Sequence, residues 1–315
     1  MNAREPVPGR GELPQRLDVT NVESVEEWLL AGARACRHAR CRVGSTDVIG
    51  PPGVLIATGD LHDNPMHFGK LMTAAKLDDP MTEDHEFTGE EMPPHHLVLH
   101  ELIHGDRLMH GMDLSYRTLV RVAQLKAFHP ERVHVLLGNH ELAQIKGAGI
   151  LKDGVKVVEA FNAGVEYVFG ADAPRVHAAI AEFVRAMPLG LRCETPRGDI
   201  LVAHSLPPAA MMGRFDTSVL SRDLTEDDYS PRTGAAYIMV WGRGYDAELM
   251  EDLVERWGVA MFVLGHEKVE EGARFVAPNA LVLNSDHAGG VYVPMDLSSP
   301  PRAAEAVAMA VRLAD

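Results

Sequence analysis

Five times along this 315-residue chain, a short apolar run breaks off into a cluster of polar side chains able to hold metals. VLIAT (54–58) runs into GDLHDN, LVL (97–99) into HELIHGD, and VHVLL (133–137) into GNHE. ILVA (200–203) runs into HSLPP, and MFVL (261–264) into GHE. Apolar runs this short, bounded by turn residues, read as buried strands. Polar groups crowded at the end of a buried strand must be hydrogen-bonded, paired or bound to something. Stretches with helical spacing lie between them, such as SYRTLVRVAQLKAF (115–128), PRVHAAIAEFVRAM (174–187) and DAELMEDLVERW (246–257). Strands alternating with helices indicate an α/β fold. The polar strand ends would then gather along one sheet edge, where ligand sites of such folds lie.

The remaining segments frame this core. Residues 1–20 read as a loose arm. A helix is expected from Ser24 to about Cys41, with Ser24 and Glu27 as a capping box. Asn64-Pro65 fits an N-cap and first helical position. Residues 80–96, rich in Asp, Glu, Pro and His, suggest a surface excursion. LVLN (281–284) and GVYV (290–293) read as two strands joined by a glycine turn. The division expected is an N-terminal arm and helix over 1–50, a core domain over 51–300 and a C-terminal helix over 301–315.

A net charge of −15 argues against nucleic-acid backbones and anionic membranes as partners, while leaving room for a local metal cluster. With no apolar span of membrane length, a cytoplasmic protein is the expectation. Three cysteines, Cys36, Cys41 and Cys193, suit a reducing compartment. Cys36 and Cys41 flank His38, but one pair at that spacing makes a weak zinc motif.

The chemistry resides in the strand ends: Asp60, His62, Glu101, Asn139, His140, His204 and His266. Together they supply carboxylates, an amide oxygen and imidazoles without thiolates, a mixture suited to Mn, Fe or Zn. GDLH (59–62), GNHE (138–141), the strand-borne His204 and GH (265–266) stand in an order that resembles the calcineurin-like metallophosphoesterases. RFVAPNALVLN (274–284) is similar to the tail of their phosphoprotein-phosphatase branch, and the likeness spans about residues 53–297.

The resemblance implies a two-layer β-sandwich flanked by helices, an α/β layered architecture with a dimetal site at the C-terminal strand ends. It implies two divalent or trivalent transition-metal ions, Mn, Fe or Zn, and a phosphorylated substrate, either protein or small molecule. Asp60 and His62 would hold the first ion. Asn139, His204 and His266 would surround the second, with His266 turning to the first if its loop shifts. Paired cations would polarise the phosphoryl oxygens and generate a bridging hydroxide for in-line attack, with His140 as general acid.

The second motif departs from the family's strand-GDxxDRG. Glu101 follows the strand directly and takes the bridging place, with Asp106 as a rival. On that alignment two extra residues bring Asp106 to orient His140 and Arg107 to clamp phosphate. The bland alternative for that pair is an ion pair on a solvated loop. His95, His96, His100, His104 and His110 crowd this motif, some of them as expected hydrogen-bond partners of the ligands. The usual arginine before the last histidine is absent. Arg243 in WGRG could replace it, or could be a turn arginine stacked on Trp241. The function implied is phosphomonoester or phosphoprotein hydrolysis. The alternatives are dinucleoside-polyphosphate hydrolysis, toward which WGRG leans, and an inactive metal-binding relative.

Overall fold

In a computed structural model, which describes residues 16–77 and 93–314, the apolar runs form two sheets packed face to face. The seven-stranded sheet runs in the order Arg42–Val43, Thr46–Ile49, Gly190–Cys193, Ile200–Ala203, Met261–Leu264, Ala280–Leu283, Ala273–Val276. The five-stranded sheet runs Val311–Arg312, Val291–Asp296, Val54–Thr58, His95–His100, Val133–Leu136. Strand alternation decides which side chains meet where. Leu55, Ala57, Val98 and Leu136 pack with Leu191, Val202, Val263 and Leu281 between the sheets. Their neighbours Ile56, Leu97, Leu99 and Val135 point the other way, into the core shared with the helices.

Two parallel triplets position the site. Val54–Thr58, His95–His100 and Val133–Leu136 run parallel in one sheet. Ile200–Ala203, Met261–Leu264 and Ala280–Leu283 run parallel in the other. All five polar clusters therefore follow the C-terminal ends of parallel strands.

The helix Val22–His38 buries Val25, Trp28, Leu29 and Cys36 against the helical layer. Its N-cap is Asn21, whose side chain accepts from Ser24 N, so the box expected at Ser24 and Glu27 lies one turn inside the helix. Asn64 caps the helix Pro65–Ala74 by accepting from His67 N at 3.1 Å. The helices Tyr116–Phe128, Ala173–Ala186 and Ala247–Trp257 stand where the spacing predicts them.

Two local expectations need correction. The strands around Gly289-Gly290 are no hairpin. Ala280–Leu283 pairs with Met261–Leu264 and Ala273–Val276, while Val291–Asp296 crosses to the other sheet beside Val54–Thr58. The C-terminal stretch is helical only over Ala303–Val307, because Val311–Arg312 then pairs with Val291 and Tyr292. Residues 1–15 of the arm expected over 1–20 and most of the excursion expected over 80–96 lie outside the described residues. Among the described residues, no helix is long and apolar enough to cross a membrane.

Candidate metal and phosphoester site

Loops from both sheets converge on Glu101, which leaves its strand in the left-handed region at φ 51°. His62, His104 and His266 share that conformation, with φ of 42°, 61° and 67°. It costs an L-residue about 1 kcal/mol or more and collects where function requires it. The loops also come unusually close together. A Cβ on Gly59 would lie 1.9 Å from Leu283 O, and one on Gly265 would lie 2.2 Å from the His100 ring and 2.5 Å from Asp60 Oδ1. Only glycine fits at either position.

Glu101 is buried and its two oxygens face different neighbours. Oε1 lies 3.1 Å from His62 Nε2 and 3.5 Å from His140 Nε2, whereas Oε2 lies 2.8 Å from His204 Nε2. On the Oε2 side, His204 Nε2 is 2.8 Å from Asn139 Oδ1 and 3.1 Å from His266 Nδ1. His266 Nδ1 is in turn 3.0 Å from Asn139 Oδ1. Carboxylate, amide oxygen and two imidazole nitrogens thus converge in a buried site, the donor types that first-row ions take, and His266 Nε2 is buried there without a hydrogen-bond partner. Glu101, His204 and His266 form one candidate metal set, and His62, Glu101 and His140 form another.

Asp60 is placed differently from expectation. Its Oδ1 accepts from His266 N at 2.8 Å and lies 3.5 Å from His204 Nδ1 and 3.7 Å from His100 Nδ1. It therefore groups with His100 and His204 rather than with His62.

Burial opposes charge throughout the cluster, and neighbours decide the outcome. Burial raises Asp60 to about 7, helped by the carboxylate of Glu101. Glu101, which burial alone would raise, is held well below the usual carboxylate range by the imidazoles of His204 and His140. His62 is pulled up to about 9 against its burial by Glu101. Burial pushes His140 down to about 3, and His100 and His104 each to about 4.

The second motif is arranged unlike its expected alignment. Asp106 does not reach His140. Its side chain is 72% exposed and pairs with Lys152 at 2.9 Å, so it is neither the orienting acid nor a rival bridge. The group beside His140 is His104, Nδ1 to Nδ1 at 2.8 Å. No two-residue insertion is needed, since His104 stands three residues after Glu101. His104 Nε2 lies 3.0 Å from Gln144 Oε1 and donates to it, which leaves His104 Nδ1 to accept from His140. Arg107, 60% exposed, donates to the backbone oxygen of Asp63 rather than reaching the cluster. Arg243 is exposed as well, and its Nη1 donates to His266 O at 3.1 Å.

The sequence reading missed Glu141, whose Oε1 accepts from Leu102 N at 2.7 Å and Ile103 N at 3.3 Å, pinning the chain just after Glu101. Its place in GNHE was the available signal. Among the described residues, Cys36 and His38 join no candidate metal set. Cys41 groups with Asp47 and His134, but burial raises its thiol to about 12, which disfavours the ligating thiolate.

The chain matches the model of the calcineurin-like phosphoesterase family over residues 54–270. No curated protein matches it. Among solved structures, it is similar to a protein serine/threonine phosphatase from Saccharomyces cerevisiae described as similar to human phosphatase PP5. That similarity has a TM-score of 0.63 and 15% identity, covering 88% of this chain and 83% of that one. A cold-active protein tyrosine phosphatase solved at 1.1 Å is similar with a TM-score of 0.52 and 14% identity, covering 94% of this chain and 84% of that one. At such identities the likeness is one of fold.

Proposed function

The chain belongs to the calcineurin-like phosphoesterase family, and from that premise we propose that it is a dinuclear phosphomonoesterase in which Glu101 bridges two metal ions. The observation that carries this reading is the division of one carboxylate between two sets of imidazoles. Asn139, His204, His266 and Glu101 Oε2 would hold one ion. His62 and Glu101 Oε1 would hold the other, and Asp60 would join them only through its second oxygen, because Oδ1 stays on His266 N beside His204 and His100. Carboxylate, amide oxygen and imidazole without thiolate suit Mn, Fe or Zn. Such ions supply Lewis acidity, polarising a phosphoryl group and activating water at neutral pH.

The chain's own residues do the rest. Ile103 O, 3.0 Å from His62 Nδ1, accepts from the proton on that nitrogen and leaves Nε2 facing the centre. His104 holds the ring of His140 with its Nε2 facing Glu101. An anionic phosphoryl group at the centre favours the protonated form of that ring, which then donates to the leaving oxygen. Of the two arginines, Arg243 is the better phosphate contact, because it is anchored on the backbone of His266 while Arg107 is spent on Asp63.

The WGRG motif that carries Arg243 leans toward a second substrate reading, a dinucleoside polyphosphate. Turnover of p-nitrophenyl phosphate, a phosphopeptide and diadenosine tetraphosphate with Mn²⁺ separates the two. Hydrolysis of the monoesters is expected. Hydrolysis of the dinucleotide alone selects the second reading, and no turnover on any of the three contradicts both.

A further inference from the structure

His100 is fully buried, with an imidazole on the strand residue just before Glu101. Its Nε2 lies 2.9 Å from Thr58 O, an oxygen that can only accept, so that nitrogen carries the proton. In the neutral ring, Nδ1 is then an acceptor. It sits 3.0 Å from His204 Nδ1, with the two rings edge to face at 82°. His204 must donate from Nδ1, and its Nε2 faces Asn139, His266 and Glu101.

The geometry points to His100 as a positioning residue that fixes the tautomer and orientation of His204, and so sets the affinity of the metal position His204 shares with Asn139 and His266. The relay runs in one direction, from His204 Nδ1–H to His100 Nδ1 and from His100 Nε2–H to Thr58 O. Gly265 belongs to the same device, because a side chain there would occupy the space of the His100 ring. The inference rests on the dinuclear reading for its effect on metal, but the direction of the relay stands apart from it.

The test is zinc titration by calorimetry of wild type, His100→Leu and His100→Asn, together with long-range ¹H–¹⁵N spectra of the histidine rings. Asparagine places an acceptor oxygen near the position of Nδ1, whereas leucine offers none. His100→Leu should weaken one of two zinc positions roughly 10- to 100-fold and leave the other unchanged, while His100→Asn stays near wild type. Equal loss in both variants, or loss in neither, overturns the assignment. In wild type, His204 should carry a proton on Nδ1 both before and after zinc is added. An unprotonated Nδ1 overturns the inference even if the leucine variant fails to fold. Wild type that binds no zinc would contradict the dinuclear reading instead, with the ring spectra still deciding the relay.

Discussion

Two buried polar clusters occupy opposite ends of the same pair of strands. His96 and His134 stand near the starts of His95–His100 and Val133–Leu136, and Glu101, Asn139 and His140 follow their ends. At the starts, Asp47 accepts from Arg42 Nε at 2.7 Å and pairs with His134 Nδ1 at 2.8 Å. Lys126, fully buried, donates to Pro130 O at 2.7 Å and Val133 O at 2.8 Å. His134 Nε2 meets His96 Nδ1 at 3.3 Å. Cations and donors outnumber the single carboxylate there, and its oxygens are taken. At the strand ends carboxylates, an amide oxygen and imidazoles converge instead, and His266 Nε2 is buried without a hydrogen-bond partner. The starts make a structural network built around one matched acid, whereas the ends gather the side chains of the candidate metal sets. A buried histidine says little by itself; what its neighbours still lack says more.

The contrast can be broken or sharpened by substitution at each end. His140→Ala should lower kcat roughly 100- to 10,000-fold with metal content unchanged. Unchanged turnover would make the site a relic that binds metal without catalysing. Asp47→Ala should cost about 3–5 kcal/mol in denaturant unfolding, since it leaves two buried cations without their acid. Metal content in the folded fraction should stay the same, and metal loss without destabilisation would show that the ends are not independent.

Asp47 also predicts a pH dependence. Burial would raise its pKa, but Arg42 and Lys126 hold it far below the usual carboxylate range. A depressed folded pKa means the stabilisation is complete above the unfolded value of about 4 and is lost as pH falls below it. Melting from pH 7 down to pH 3 should therefore show a steep acid loss in wild type and a shallower one in Asp47→Ala. His104→Ala should slow turnover ~10-fold by freeing the His140 ring, with metal retained. Asp106→Ala and Arg107→Ala should each change stability by less than about 0.5 kcal/mol and leave kcat alone. A large loss of kcat in either would restore the alignment that puts this pair at the reaction centre.

Much of this was legible because strand-end chemistry is local. An apolar run followed at once by Asp-x-His or Asn-His-Glu specifies both a strand and what emerges from it, and Glu101 could be chosen over Asp106 by its place against the strand. The place of His104 beside His140 was not legible because the family's pattern has an acid where this chain has an imidazole. That His100 would be one of the expected histidine partners was not legible, because the groups it meets, Thr58 O and His204 Nδ1, come from distant parts of the chain. The strands Arg42–Val43, Thr46–Ile49 and Gly190–Cys193 are too short to show a period and exist through their long-range pairing. The crossing of Val291–Asp296 into the second sheet likewise depends on a partner far away in sequence, Val54–Thr58.

The central claim is that one carboxylate serves two ions, and Glu101→Gln tests it most directly. The amide keeps the size of the side chain but loses the charge and one acceptor oxygen. Metal content by mass spectrometry and p-nitrophenyl phosphate turnover would be measured side by side on variant and wild type. The account predicts about two transition-metal ions per chain in wild type, and a variant that loses metal and activity together. A variant that keeps both ions and its turnover would contradict it.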